Sequence, residues 1–161
     1  MISFRMTDRE ISLRNAVAPI IQESGSVGVK FHGVVSFPEV AGWDCHCCGV
    51  DEAPPYLVAA CRAAFDFPST LGGAIEECRY WRGLIEGRSA VDDGYWETLS
   101  AEVKIRIALV DDFILTTPAK SLDDIALRIE WLDFDRYTKL EIVPRLLADL
   151  RALSEHAGTV E

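Results

Sequence analysis

From Leu57 to Leu153 the apolar residues recur three and four positions apart, in runs cut by proline and by helix-capping pairs. Side chains at that spacing return to one face of an α-helix. A chain patterned this way over most of its length must bury helix against helix. Leu57, Val58, Cys61, Ala64 and Phe65 mark the first such face, ended by Phe67-Pro68. Ser69 is placed to cap the next helix, whose stripe is Leu71, Ala74, Ile75, Cys78 and Ile85. A longer helix is expected from about Tyr95 to Leu115. Its inward residues are Trp96, Leu99, Val103, Ile107, Val110 and Ile114, and Lys104, Asp111 and Asp112 face water. Thr117-Pro118 stops it, and Ser121-x-x-Asp124 opens a short helix with Leu122, Ile125, Ile129 and Leu132 inward. A last helix covers about Leu140 to His156. Leu140, Val143, Leu147, Leu150 and Leu153 lie on one side of it, and its regular part begins near Pro144.

The first fifty residues read differently. Thr7-Asp8-Arg9-Glu10 has capping-box spacing and opens a helix carrying Ile11, Val17, Ile20 and Ile21, which Pro19 should kink or end. Between Val27 and Phe37 the apolar residues alternate, the signature of a strand. One strand cannot stand alone. It can pair with Ile2–Met6, fold on itself as a hairpin about His32-Gly33, or pair with a second copy of the chain. The expected fold is therefore mainly α (α+β): a C-terminal bundle of four or five helices, preceded by a small N-terminal helix-plus-strand or hairpin segment. The 161 residues suit a single domain, with an N-terminal α/β segment over 1–53 and the helical bundle over 54–157.

The join between those segments holds the one unusual motif. Cys45-His46-Cys47-Cys48 sets three thiols and an imidazole side by side among the turn residues Gly42, Asp44, Gly49, Pro54 and Pro55. Thiolate and imidazole are zinc ligands, and Cys45-x-x-Cys48 is half of a common zinc site. The second half is missing from the sequence. Cys61, Cys78, His32, His156 and Asp44 are candidate completing ligands, but Cys61 and Cys78 lie on apolar stripes, where cysteine acts as a small buried hydrophobe. A symmetric dimer is another way to complete it. The same motif admits thiol redox chemistry, which would need a helix directly after it and a βαβ setting. Here Gly49 and Pro54-Pro55 intervene, and no run of alternating strands follows.

Composition narrows the partners. The net charge of −10 and the absence of a Lys/Arg cluster disfavour direct nucleic-acid binding. No apolar run reaches the roughly 18 residues of a membrane span, and no signal peptide is recognisable, so a cytoplasmic location is expected. Phosphate-loop, dinucleotide, metalloprotease and nucleophile-elbow signatures are absent. The aspartate doublets, like Glu76-Glu77, are solvated surface rather than acid/base dyads, because neighbouring helical positions do not face each other. The reading is a small acidic protein-binding module, an adaptor, inhibitor or regulatory subunit that docks to a basic protein. Tyr80, Trp81, Asp111, Asp112, Asp123 and Asp124 are its candidate contact residues. A zinc protein using Cys45, His46, Cys47 and Cys48 is the alternative, and a thiol redox enzyme the second. The cofactor is correspondingly none, or zinc, and a homodimer is compatible with either.

Overall fold

The computed structural model describes residues 4–31, 34–45, 49–91, 99–134 and 139–157. The protein is mainly helical with a small antiparallel hairpin near its N-terminus, as the patterning predicts. Six α-helices are present among the described residues: α1 (Asp8–Ser24), α2 (Pro55–Ala63), α3 (Leu71–Ser89), α4 (Ala101–Thr116), α5 (Leu122–Phe134) and α6 (Lys139–Ala157). Between α1 and α2 lie β1 (Val29–Phe31), β2 (Val34–Ser36), β3 (Glu39–Val40), β4 (Trp43–Asp44) and a 3-10 turn at Val50–Glu52.

Local chemistry sets the boundaries. Thr7 and Glu10 form the expected reciprocal capping box on α1. Gly25 ends that helix in the left-handed region at φ 65°, and the Ser26 N–H reaches back to the Ile21 carbonyl. Pro19 does not end α1: the helix runs through it to Ser24. Its ring lacks one N–H, and the apolar face Leu13, Val17 and Ile21 is buried on both sides of it, so packing overrides the lost bond. Thr70, rather than Ser69, caps α3, accepting the Gly73 N–H at 3.1 Å. The segment from 27 to 37 is a hairpin, with Val29 opposite Ser36 and Phe31 opposite Val34. The turn assigned to His32-Gly33 lies outside the described residues. In the second hairpin Val40 pairs with Trp43, and both linking residues have positive φ (Ala41 55°, Gly42 80°), as a tight two-residue turn requires.

Two compact units are built from this chain. Unit one comprises Met1–Phe67 with Tyr80–Leu109, and unit two Pro68–Arg79 with Val110–Glu161. The core of unit one gathers Leu13, Val17, Trp43, Leu57, Cys61, Trp81, Leu99, Val103 and Ile105. Unit two buries Leu71, Ala119 and Ile125, against which Leu146 and Leu153 pack.

Several faces differ from the apolar pattern. Leu122 (68% exposed) and Ile129 (51%) turn outward from α5, while Arg128 and Trp131 turn in. On α6, Val143, Leu147 and Leu150 are about half-exposed, and the inner face is Leu146, Asp149 and Leu153. The first half of α4 is buried almost all round, including Glu102 and Arg106. Its proposed start at Tyr95 and inward Trp96 lie outside the described residues. Glu77 is buried, unlike its neighbour Glu76. On α4, α5 and α6 a buried, bonded charge or indole has taken a place that apolar periodicity alone would give to a hydrophobe.

Candidate functional site

The cysteine loop departs from the β3–β4 hairpin. Cys45 follows β4 directly, and its N–H donates to the Pro38 carbonyl at 2.9 Å, adding one rung to the ladder. Trp43, buried in the core, donates its indole N–H to the Gly49 carbonyl at 3.0 Å. The chain on either side of the motif is thus tied together at its base. His46, Cys47 and Cys48, three of the four residues assigned to metal, lie outside the described residues.

Cys45 is a free, half-buried thiol that packs on the core of unit one. Burial pushes its pKa up; Lys104 opposes the shift, while the charges of Asp44 and Glu102 add to it. The adjoining elements supply the rest of this electrostatic setting. Glu102, in the first turn of α4, is 1% exposed. Its Oε1 accepts the Arg14 Nε–H at 2.6 Å, and its Oε2 is buried with no hydrogen-bond partner. Arg14 in turn lays its guanidinium over the Phe37 ring at 4.8 Å, next to the proline that holds Cys45.

Cys61 and Cys78 take the buried places expected of them. Burial pushes the Cys61 thiol up to about 12, reinforced by Glu102 and opposed by Arg106. Cys78 belongs to unit two, where its Sγ–H donates to Asp111 Oδ1 and its sulfur accepts the Trp131 indole N–H, both at 3.3 Å. Asp44 is engaged by other groups. Among the described residues, no three His, Cys, Asp or Glu side chains are gathered closely enough to hold a metal ion.

The docking candidates divide. Trp81 is corrected by the structure: it is fully buried in the core of unit one and has no surface to offer a partner. Tyr80 stays at the rim, edge-on to Trp81 with ring centres 5.0 Å apart, and the Arg9 guanidinium covers it at 4.3 Å. Asp111 is half-buried on Cys78, and at the start of α5 Asp124 donates its N–H to the capping Ser121 Oγ at 3.1 Å and accepts the Lys120 N–H at 2.8 Å. Asp112 and Asp123 are exposed. Sequence reasoning missed the outward Val143, Leu147 and Leu150. Their 4,3 spacing was visible, but it overlaps the spacing of the inner face. A cavity of about 160 Å³ opens beside Thr70, Lys120 and Asp124. That is below the roughly 300–1,000 Å³ of small-molecule sites.

Comparison of the chain with family models, with curated proteins and with solved structures gives no match.

Proposed function

We propose that the protein is a cytoplasmic docking module, and that unit two receives a basic protein segment that also carries an apolar face. The supporting observation is the outward stripe Val143, Leu147 and Leu150 on α6. Three half-exposed aliphatic side chains at i, i+4 and i+7 give a helical surface an apolar seam. Exposed Asp112, Asp123, Glu130 and Glu155 belong to the same unit and favour a basic occupant. No described helix is long and apolar enough to cross a membrane, so the stripe is not read as part of a span.

Cross-linking of the full chain in lysate, with mass spectrometry of the linked peptides, tests this reading. The expected outcome is a stoichiometric protein partner linked to α5 or α6 and lost in Leu147→Glu. The capture should weaken between low and high salt. A partner retained undiminished by Leu147→Glu, or linked only to unit one, would remove the reading.

A second reading is zinc binding by the Cys45–Cys48 motif. It is favoured by the closure of the loop base through Trp43 and Pro38, which brings the two ends of the motif's flanks together. Elemental analysis of protein purified without chelator decides it. Near one equivalent of zinc supports it, and less than about a tenth ends it.

A further inference from the structure

Arginine has two kinds of partner in this molecule. Arg14, Arg79, Arg88, Arg128 and Arg145 each lie within ion-pair distance of a carboxylate. Arg9 and Arg62 have no such partner among the described residues, and aromatic faces hold them instead. Arg9 lies over Tyr80 at 4.3 Å and Phe65 at 5.7 Å, and Arg62 over Phe67 at 4.2 Å. Arg106 links the two, over Phe65 at 4.0 Å and Phe67 at 4.9 Å. Guanidinium and aromatic groups thus alternate in one stack, all of it in unit one. Arg62 is exposed, and Arg9, Phe65, Phe67 and Tyr80 are partly exposed. An aromatic face attracts a cation without cancelling its charge. The acids nearest in sequence, Asp8 and Asp66, are exposed and are outnumbered by the guanidiniums of the stack. The patch is therefore locally positive in a chain of net charge −10.

Unit two has the opposite character. Asp112, Asp123, Glu130 and Glu155 are exposed there, in the same unit as the outward stripe Val143, Leu147 and Leu150. Its occupant must bring cations together with an apolar surface. The stack in unit one brings both: charge on Arg62 and Arg9, and apolar area on the faces of Phe65, Phe67 and Tyr80.

We infer that the occupant of unit two is a second copy of this chain, which sets its Arg62–Phe67 patch against the α6 stripe of the first; this inference rests on the docking reading above. Aliphatic side chains meet aromatic faces, and carboxylates meet the Arg62 guanidinium, which makes no hydrogen bond among the described residues. The two patches are unlike, so each pair leaves one of each kind free. Association then continues into closed cycles or open chains and does not stop at a two-fold dimer. With −10 on every copy the long-range force is repulsive, so the contact is weak and depends on concentration.

Sedimentation equilibrium of the full chain tests this. The mass should begin at 17.9 kDa and rise with concentration. Arg62→Glu and Leu147→Glu each reverse one patch and should associate at least ten-fold more weakly. Mixed together they should form a 1:1 pair and grow no further, because one retains the stripe and the other the stack. Circular dichroism checks that each variant is folded, and Arg62→Ser or Leu147→Ser stands in for one that is not. A wild type that stays at 17.9 kDa up to about 1 mM overturns the inference, as does a mixture that stays monomeric. Association lost in Leu147→Glu but undiminished in Arg62→Glu removes the stack and keeps the docking reading. A monomeric chain whose α6 captures a different protein from lysate, with capture lost in Leu147→Glu, likewise keeps that reading and ends this one. Association that survives Leu147→Glu overturns the use of the stripe in self-contact.

Discussion

Arg106 and Arg128 are both fully buried, one in each unit, and their described contacts differ in kind. Arg106 donates to the carbonyls of Cys61, Arg62 and Asp66, and stacks on Phe65 and Phe67 at 4.0 and 4.9 Å. These partners are neutral dipoles and ring faces, and the carbonyls are ones that the end of α2 would otherwise leave open. Arg128 is bonded to the Asp149 carboxylate and to the Thr117 carbonyl. One cation is therefore woven into the backbone through carbonyls that no side-chain change removes. The other depends on one carboxylate from another helix. Arg106 acts as a capping device, and Arg128 as a clamp between α5 and α6.

The largest effect should come from breaking the clamp on one side. Asp149→Ala leaves Arg128 buried without its anion and is expected to cost about 3–5 kcal/mol in denaturant unfolding. Replacing both, as Arg128→Met with Asp149→Leu, should recover most of that loss. A single-mutant cost under about 1 kcal/mol would erase the distinction between the two arginines.

Arg106→Met should cost less, about 2–3 kcal/mol, because the freed carbonyls belong to a helix end that water can reach after local fraying. Arg106→Lys should not rescue it, since an ammonium cannot span three carbonyls and two rings as a planar fork does. Rescue by lysine would reduce Arg106 to a point charge and break the comparison from the other side.

The next effect is one of pH. Cys61 has its folded pKa raised from 9.0 to about 12, so the unfolded chain ionises first. The contribution is fully present below pH 9 and is lost as pH rises toward 12. Stability of the wild type should decline over that window more steeply than that of Cys61→Ala. Equal slopes would show that the thiol is not shielded by the core of unit one.

The smallest effect belongs to the outward stripe. Leu147→Glu is expected to change stability by no more than about 0.5 kcal/mol, because the side chain is already half in water. A loss above 2 kcal/mol would mean that α6 uses this face for its own packing, and that unit two is as closed as unit one.

Helix existence was legible in the sequence from apolar period and capping boxes, but the prolines misled twice: α1 runs through Pro19, and α6 begins at Lys139 and runs through Pro144 rather than starting near it. Thr7 and Glu10 show the capping signal in full: two residues three apart, each satisfying the other's backbone. Which face turns inward was less legible wherever charge is buried. The pattern on α5 assigns Leu122 and Ile129 to the core. The structure gives those places to Arg128 and Trp131, because an arginine bonded through Nη1 and Nη2 and an indole with an acceptor fill the space. Glu102 was invisible for the same reason. A carboxylate in the first turn of a helix reads as a solvated partner of the helix dipole, and only three-dimensional contact with Arg14 shows otherwise. The cysteine motif was plain in sequence, but its setting depends on residues distant along the chain, which spacing does not encode.

Glu10 was introduced as half of a capping box, yet both its oxygens also receive Arg88, at 2.7 and 3.0 Å, from the last turn of α3. The same guanidinium donates to the Arg5 carbonyl at 2.8 Å. Helix ends ordinarily fray one at a time, and their amides exchange with solvent at low cost. Here the beginning of α1 cannot open without releasing the end of α3, seventy-eight positions away. Amide exchange in the first turn of α1 should accordingly be slow and should track exchange at the end of α3. The two helix ends are one cooperative event.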